Sequence, residues 1–214
     1  MLVESVGKEV VDMRTDRIIT IGRQYGSGGL EIGKRLAERL GIPCYDKEIL
    51  ELAAKKSGLS ENVIKSYDEK PRSLIFTAAT DPYAFGLLGA GIDESVENKA
   101  INASMRAIWE IEKGGPCVIV GRAADYFLKD SDSALKVFVY ASMDARIQTV
   151  MERDGLPEDK AKKRIQQIDK KRAAYYNFYT MKQWGDMTSY DICIDSSRNG
   201  YDGCVDIIEK IVGK

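Results

Sequence analysis

A run of glycines directly after an apolar segment is the part of this sequence whose residue types suit phosphate chemistry. Residues 22–29 read Gly-Arg-Gln-Tyr-Gly-Ser-Gly-Gly; they follow the largely apolar run 17–21 and precede a helical pattern over 30–40. A strand, a glycine-rich turn and a helix in this order bring backbone N–H groups and the positive end of the helix dipole to an anion. The pattern therefore predicts a cradle for phosphate.

The loop departs from the P-loop motif, which ends in lysine followed by serine or threonine. Gly29 stands at the lysine position, and Leu30 and Glu31 stand where the hydroxyl should follow. Residues 28–34 also satisfy GxxxxGK, but apolar residues recur at helical spacing from about Leu30 onward. We therefore expect Lys34 on a helix and in solvent rather than on a phosphate.

The donor-phosphate residues predicted on this register belong to the loop and the first helical position. They are Gly22, Arg23, Gly26, Ser27, Gly28, Gly29 and Leu30. Because the lysine is absent, another cation must neutralise the transferred phosphate, and the planar guanidinium of arginine binds phosphate through two hydrogen bonds. The candidates for this cation are Arg23, Arg122, Arg146, Arg153, Arg164 and Arg172.

Two other interpretations of the loop compete with phosphate transfer. The spacing of Gly22, Gly26 and Gly28, with Asp46 downstream, resembles the cofactor loop of short-chain dehydrogenases. Such enzymes need a Tyr-x-x-x-Lys pair, and no tyrosine of the chain has lysine four residues later, which disfavours an NAD(P)-dependent oxidoreductase. A purely structural turn is disfavoured because it needs fewer glycines.

The composition is that of an ordinary folded protein without histidine. The chain has 214 residues, of which 44% are hydrophobic and 30% charged, and its net charge is −1. This charge gives no indication of nucleic-acid binding, and no window of about 18 apolar residues predicts a membrane span. Chemistry must run on carboxylates, lysine, arginine, hydroxyls and backbone amides. The four cysteines form no CxxC pair, which favours reduced thiols and a cytoplasmic location.

Short apolar runs alternate with helical patterns along the chain. We predict strands over residues 18–21, 43–45, 117–120, 136–140 and 191–194. We predict helices over residues 30–40, 47–56, 61–67, 94–113, 144–153, 158–184 and 202–212. The alternation predicts an α/β fold in three layers, with a five-stranded parallel sheet and helices on both faces.

The chain is expected to form one domain over residues 17–214, preceded by a poorly ordered extension at 1–16. Two segments depart from the alternation of strands and helices. Residues 71–93 mix glycine and proline with apolar and aromatic residues, which predicts an inserted flap. Residues 151–184 are basic and aromatic and predict a helical region that acts as a lid.

Four motifs in the same order resemble the cytidylate kinase-like family, a divergent branch of the P-loop nucleoside monophosphate kinases. They are residues 18–40, Gly121-Arg122, Asp169-x-x-Arg172 and residues 190–197. The resemblance runs from about Arg17 to Lys214. It implies the fold of the P-loop monophosphate kinases, ATP with Mg²⁺ as donor, and a nucleoside monophosphate, CMP first, as acceptor.

The resemblance also implies roles for individual positions. Gly121 and Arg122 match a Gly-Arg-Asp motif that holds the acceptor nucleotide, although Ala123 replaces its aspartate. The positions that match acceptor-binding residues are Asp46, Lys47, Arg122, Asp169 and Arg172. The positions that match the loop near the donor base are Ser196, Ser197, Arg198 and Asn199.

We expect a catalytic set drawn from the candidate cations and the matched acidic position: Arg122, Arg153, Arg164, Asp169 and Arg172. Purely structural roles for some of these residues stay open. Asp46 precedes a predicted helix and suits an N-cap, and Asp169 and Arg172 have the spacing of a surface ion pair on one helix. A nucleotide- or phosphate-binding module without catalysis also stays open, because the loop lacks both lysine and hydroxyl. The expected partners are nucleotides or small phosphorylated substrates.

Overall fold

Five parallel strands form the centre of the molecule, for which the computed structural model describes residues 15–62, 64 and 96–213. The strands are β1 (Ile18–Arg23), β2 (Cys44–Tyr45), β3 (Cys117–Val120), β4 (Ala134–Tyr140) and β5 (Ile192–Asp195). They form one sheet in the order β2-β3-β1-β4-β5, and every neighbouring pair is parallel. The predicted α/β fold with a five-stranded parallel sheet is confirmed.

Helices follow the strands in the alternation that the sequence predicts. They are α1 (Gly29–Leu40), α2 (Glu48–Ser57), α3 (Val96–Lys113), α4 (Ala124–Phe127), α5 (Met143–Asp154), α6 (Glu158–Thr180) and α7 (Ser196–Val212). A short 3-10 turn spans Met187–Ser189, and residues 61, 62 and 64 are also helical. In the part of the chain that the structure describes, no helix combines the length and apolar character needed to cross a membrane.

Two helix boundaries differ by more than two residues from the sequence prediction, and helix α4 was not predicted. Helix α6 ends at Thr180 rather than 184, because Met181 has a left-handed φ of 55° that stops the helix. Helix α7 begins at Ser196 rather than 202, because the Asp195 side chain accepts a hydrogen bond from the Ser197 N–H. The segment predicted as a loop after the last strand is therefore a helical turn, which Gly200 (φ 65°, ψ 173°) separates from the rest of α7.

The sheet has a hydrophobic core on each face. On one face Ile19 and Ile21 of β1 pack with residues of α1 and α7 and are fully buried. On the other face Ile18 packs with residues of α2 and α3. Alternate residues of β1 thus point to opposite layers, as a central strand requires. This burial fixes the end of β1 and the loop that follows it.

The strand order brings the functional loop to the middle of one edge of the sheet. Strands β2 and β3 lie on one side of β1, and strands β4 and β5 lie on its other side. The direction in which strands are added to the sheet therefore reverses at β1. In open parallel sheets, ligands bind at the carboxyl ends of strands where the order reverses in this way. The predicted flap at 71–93 and residues 1–14 of the predicted extension lie outside the described residues. The single domain and the lid at 151–184 stay predictions.

Candidate functional site

The glycine-rich loop connects the end of β1 to the start of α1. Gly26 and Gly28 have φ values of 83° and 76°, which glycine adopts without steric cost. The buried Ser27 Oγ lies 2.9 Å from the Gln24 carbonyl oxygen and 3.0 Å from that of Val139, which ties the loop to β4. No side chain caps α1, and the first N–H groups of a helix have no intrahelical acceptor. This end of α1 can therefore bind an anion.

A cleft of about 560 Å³ opens beside the loop, within the range usual for small-ligand sites. Its lining includes six basic side chains: Arg23, Lys34, Lys47, Arg122, Arg153 and Arg172. The carboxylates in the lining are Glu31 and Asp46. The cleft is therefore positive although the net charge of the chain is −1. Lys34 is exposed on α1, as expected, and it also lines this cleft.

The predicted acceptor residues Asp46 and Arg122 meet on one wall of the cleft. Asp46 Oδ1 is 3.9 Å from Arg122 Nη2 and 3.7 Å from Arg23 Nη2. The Arg122 side chain is only 6% exposed, and a buried guanidinium requires such a counter-charge. Lys47 lines the same cleft. Because Lys47 itself holds the N-cap position of α2, the N-cap interpretation of Asp46 is wrong.

Arginines of α5 and α6 reach the loop through Tyr25. The Tyr25 ring lies near two guanidinium groups, with its centroid 4.8 Å from Arg153 Cζ and 5.7 Å from Arg172 Cζ. Arg153 Nη2 also donates to Tyr25 Oη at 2.6 Å, and Arg172 Nη1 donates to the Arg23 carbonyl at 3.0 Å. These contacts bring Arg153 and Arg172 to the cleft beside the glycine loop.

Asp169 holds the loop from outside the cleft lining. Its Oδ1 accepts the Tyr25 N–H at 2.7 Å, and its Oδ2 accepts Arg146 Nη1 at 2.5 Å. The Arg146 side chain is 7% exposed, so this is a largely buried ion pair. Arg164 likewise does not line the cleft, and its Nη1 lies 3.5 Å from Asp154 Oδ2. Among the five predicted catalytic residues, the structure brings Arg122, Arg153 and Arg172 into the cleft.

The four residues predicted near the donor base organise the start of α7 and do not line the cleft. Ser196 Oγ donates to the Ser27 carbonyl at 2.7 Å, which ties α7 to the glycine loop. The other three contact Asp195: Ser197 Oγ at 2.5 Å, Arg198 Nε at 3.6 Å and Asn199 Nδ2 at 2.7 Å from the carboxylate or carbonyl.

Tyr201 lines the cleft instead, and the sequence interpretation missed it. A Cβ added to Gly28 would lie 2.3 Å from carbons of the Tyr201 ring, so the ring covers this glycine. The signal that could have found it is an aromatic residue directly after Gly200, close to the end of β5.

A second cavity of about 30 Å³ is lined by Arg122 and Asp125, among other residues. The Asp125 carboxylate is buried and accepts a hydrogen bond from Tyr176 Oη at 2.7 Å. Burial raises the pKa of Asp125 to about 6, although the Tyr176 hydrogen bond opposes the shift. The sequence interpretation noted the missing aspartate at Ala123 but did not consider this acid two residues further on.

Comparison with known proteins gives consistent matches over most of the chain. Residues 18–198 match the model of the cytidylate kinase-like family. A cytidylate kinase of Methanococcus vannielii is 26% identical over 202 residues, which covers 91% of this chain and 99% of that protein.

Solved structures also match this chain over most of its length. An uncharacterized protein of Eubacterium ventriosum is 30% identical with a TM-score of 0.69, over 92% of this chain and 98% of that one. A shikimate kinase of Bacteroides thetaiotaomicron shares the fold, with a TM-score of 0.52 at 14% identity, over 92% of this chain and 99% of that one. The resemblance noted from the four motifs is thereby confirmed.

Proposed function

The chain belongs to the cytidylate kinase-like family. From this membership we propose that it transfers a phosphoryl group from ATP to a nucleoside monophosphate, with CMP as the first candidate acceptor. The observation that carries the proposal is the concentration of six basic side chains around the uncapped start of α1. Phosphoryl transfer asks mainly for positioning and charge neutralisation. This cleft offers both.

The donor would bind along the glycine loop. The N–H groups at the start of α1 would hold its phosphates, with Arg153 and Arg172 closing from the opposite side. The Tyr201 ring, which lines the cleft beside Gly28, would offer a flat apolar face to the donor base. The turn 196–199 supports this arrangement by fixing the start of α7 against the loop.

The acceptor would bind on the wall formed by Asp46, Lys47 and Arg122. Its phosphate would contact the two cations, and Asp46 would accept from a hydroxyl or amine of the nucleoside. A phosphate oxygen of the acceptor would attack the γ-phosphorus of ATP as the bond to the β–γ bridging oxygen breaks, and ADP would leave. A monophosphate is largely deprotonated at pH 7, so the step needs no histidine as general base.

Mg²⁺ bound with the nucleotide would supply positive charge to the donor phosphates. Glu31 and Asp46 are the carboxylates in the described lining of the cleft, and either could hold the ion through water. No group of three side chains able to hold a metal was found among the described residues. Two carboxylates suit Mg²⁺, which is usually bound by one or two carboxylates together with substrate phosphates and water.

A substrate panel tests the proposal. The protein is mixed with ATP, Mg²⁺ and each nucleoside monophosphate in turn, and ADP formation is measured. We expect the highest kcat/KM with CMP and a loss of about 10- to 100-fold in Arg122→Gln, because the substitution removes a charge-assisted hydrogen bond to the acceptor phosphate. Arg106→Gln is the matched control, because Arg106 is exposed on α3, and it should keep the wild-type rate.

The panel also distinguishes the non-catalytic alternative, which the glycine at position 29 motivates. Thermal-shift titration with ATP and CMP measures binding without turnover. Stabilisation by both nucleotides without ADP formation from any acceptor would support a binding module and overturn the kinase proposal. Stabilisation by NAD(P) but not by ATP would support an oxidoreductase.

A further inference from the structure

We infer that Arg23 replaces the lysine that is missing at position 29, and that this exchange requires glycine at positions 29 and 121. The inference rests on the proposed phosphoryl transfer and names the cation that this site uses. It begins from the close packing of the Arg23 side chain on two glycines that are far apart in the sequence.

The aliphatic part of Arg23 lies on Gly29. A Cβ added to Gly29 would be 2.5 Å from Arg23 Cβ and 3.0 Å from Arg23 Cγ. The favourable distance between two non-bonded carbon atoms is about 3.5 Å or more. A side chain at position 29 would therefore clash with the present Arg23 side chain. The first carbons of a P-loop lysine would occupy the space that Arg23 now fills.

The charged end of Arg23 lies over the end of β3. A Cβ added to Gly121 would be 1.8 Å from Arg23 Nη1 and 2.7 Å from Arg23 Cζ. Gly121 also has a φ of 80°, which disfavours other residues. Two glycines therefore open a path across the carboxyl ends of β1 and β3, and the Arg23 side chain follows it.

Arg23 is held between the donor side and the acceptor side of the cleft. Its side chain is 11% exposed, and its Nη2 is 3.7 Å from Asp46 Oδ1 on the acceptor wall. Its backbone carbonyl accepts from Arg172 Nη1 at 3.0 Å. Asp46 and the packing on Gly121 thus place the guanidinium before substrate binds, which is the condition for a charge that stabilises a transition state.

Three of the other candidate cations suit this role less well. Arg146 is paired with Asp169, and neither it nor Arg164 lines the cleft. Arg153 has a 49% exposed side chain and contacts Asp154 and Tyr25 at the outer end of the loop. Arg23 is the candidate whose side chain begins in the loop itself and packs on the lysine position.

Substitutions at positions 23 and 29, made singly and together, test the inference. Arg23→Gln should lower kcat with ATP and CMP by about 10³-fold, while Arg106→Gln stays at the wild-type rate. Gly29→Lys should lower both stability and rate, because its side chain meets Arg23. The double variant Arg23→Gly/Gly29→Lys removes that clash and restores a cation. It should therefore have a higher kcat than Arg23→Gln and Gly29→Lys, and it should be more stable than Gly29→Lys.

Urea unfolding separates a failure of this inference from a failure of the proposed function. If the wild type turns over no nucleotide, the proposed function fails, but recovery of stability in the double variant would still support the steric exchange. If the wild type is active, a wild-type rate in Arg23→Gln would overturn the inference. A Gly29→Lys variant as stable as wild type, or a double variant no more stable than Gly29→Lys, would also overturn it.

Discussion

Asp125 is a buried carboxyl group in the small cavity that Arg122 of the acceptor wall also lines. Its surroundings favour the protonated form, because burial raises its pKa to about 6, above the ordinary value of 3.8. Tyr176 Oη donates to it and opposes that shift without cancelling it. The folded state therefore binds this proton more tightly than the unfolded state does between about pH 4 and pH 6.

We predict that Asp125 makes the protein less stable as the pH rises through this window. Relative to Asp125→Asn, the free energy of unfolding of the wild type should fall by at most about 3 kcal/mol between pH 4 and pH 7, from the size of the shift. Urea unfolding at several pH values measures the difference. The control Asp130→Asn, at an exposed position, should show no such trend, and a pH-independent difference for Asp125 would contradict the prediction.

Tyr25 illustrates how one loop residue organises several charged groups. Its N–H donates to Asp169, and its ring lies near both Arg153 and Arg172. An arginine near an aromatic ring gains about 0.5–1 kcal/mol at an exposed site. The ring thus helps to hold two of the cations that the proposed reaction uses.

Helix α6 stabilises the glycine loop through Asp169, which lies outside the cleft lining. The carboxylate joins the Tyr25 N–H of the loop to Arg146 of α5. One side chain therefore connects three elements. Removing one partner of a buried ion pair leaves the other charge uncompensated, which is more costly than removing both.

We predict that Asp169→Leu lowers the free energy of unfolding by about 3–5 kcal/mol, because it leaves Arg146 buried without this carboxylate. The double variant Asp169→Leu/Arg146→Met should recover at least half of that loss. Urea unfolding is the measurement, and Glu152→Leu, at an exposed position of α5, is the control. Equal stability of the single and double variants would contradict a buried pair.

The elements themselves were largely predictable, for a physical reason. The strands are short and largely apolar, and each predicted strand is present within two residues of its expected bounds. The start of α7 was not predictable from periodicity, because it depends on the Asp195 side chain that caps it. The end of α6 depends on the left-handed conformation of Met181, which propensity does not indicate.

The site was predictable in its location but not in its contacts. The glycine spacing and the end of β3 located the loop and Arg122, because strand ends meet at one edge of a parallel sheet. The packing of Arg23 on Gly29 and Gly121 joins residues almost 100 positions apart, and no local pattern encodes it. The same is true of the contact between Asp169 and Tyr25, which are 144 residues apart.

On the scale of the whole molecule, charge is strongly uneven. The chain has 32 basic and 33 acidic residues, yet six basic side chains and two carboxylates line the cleft. A cleft lined by one sign of charge attracts ligands of the opposite sign even when the net charge is near zero. Salt screens this attraction over a distance of about 10 Å at 0.1 M.

We predict that the affinity for ATP falls several-fold as the salt concentration rises from about 0.05 to 0.5 M, because screening weakens the field of the cleft. Isothermal titration at several salt concentrations measures it. Arg153→Gln should show a weaker dependence on salt, since it removes one cleft cation, and Arg106→Gln should match the wild type. An affinity independent of salt would contradict binding through the cationic cleft.

Transfer of a labelled phosphoryl group tests the proposed activity most directly. The protein is incubated with γ-labelled ATP, Mg²⁺ and an equimolar mixture of nucleoside monophosphates, and the label is located by chromatography. We expect the label in a nucleoside diphosphate, mainly CDP. Transfer should be far lower in Arg23→Gln and unchanged in Arg106→Gln. Label that stays in ATP, or that appears only as inorganic phosphate, would contradict a nucleoside monophosphate kinase.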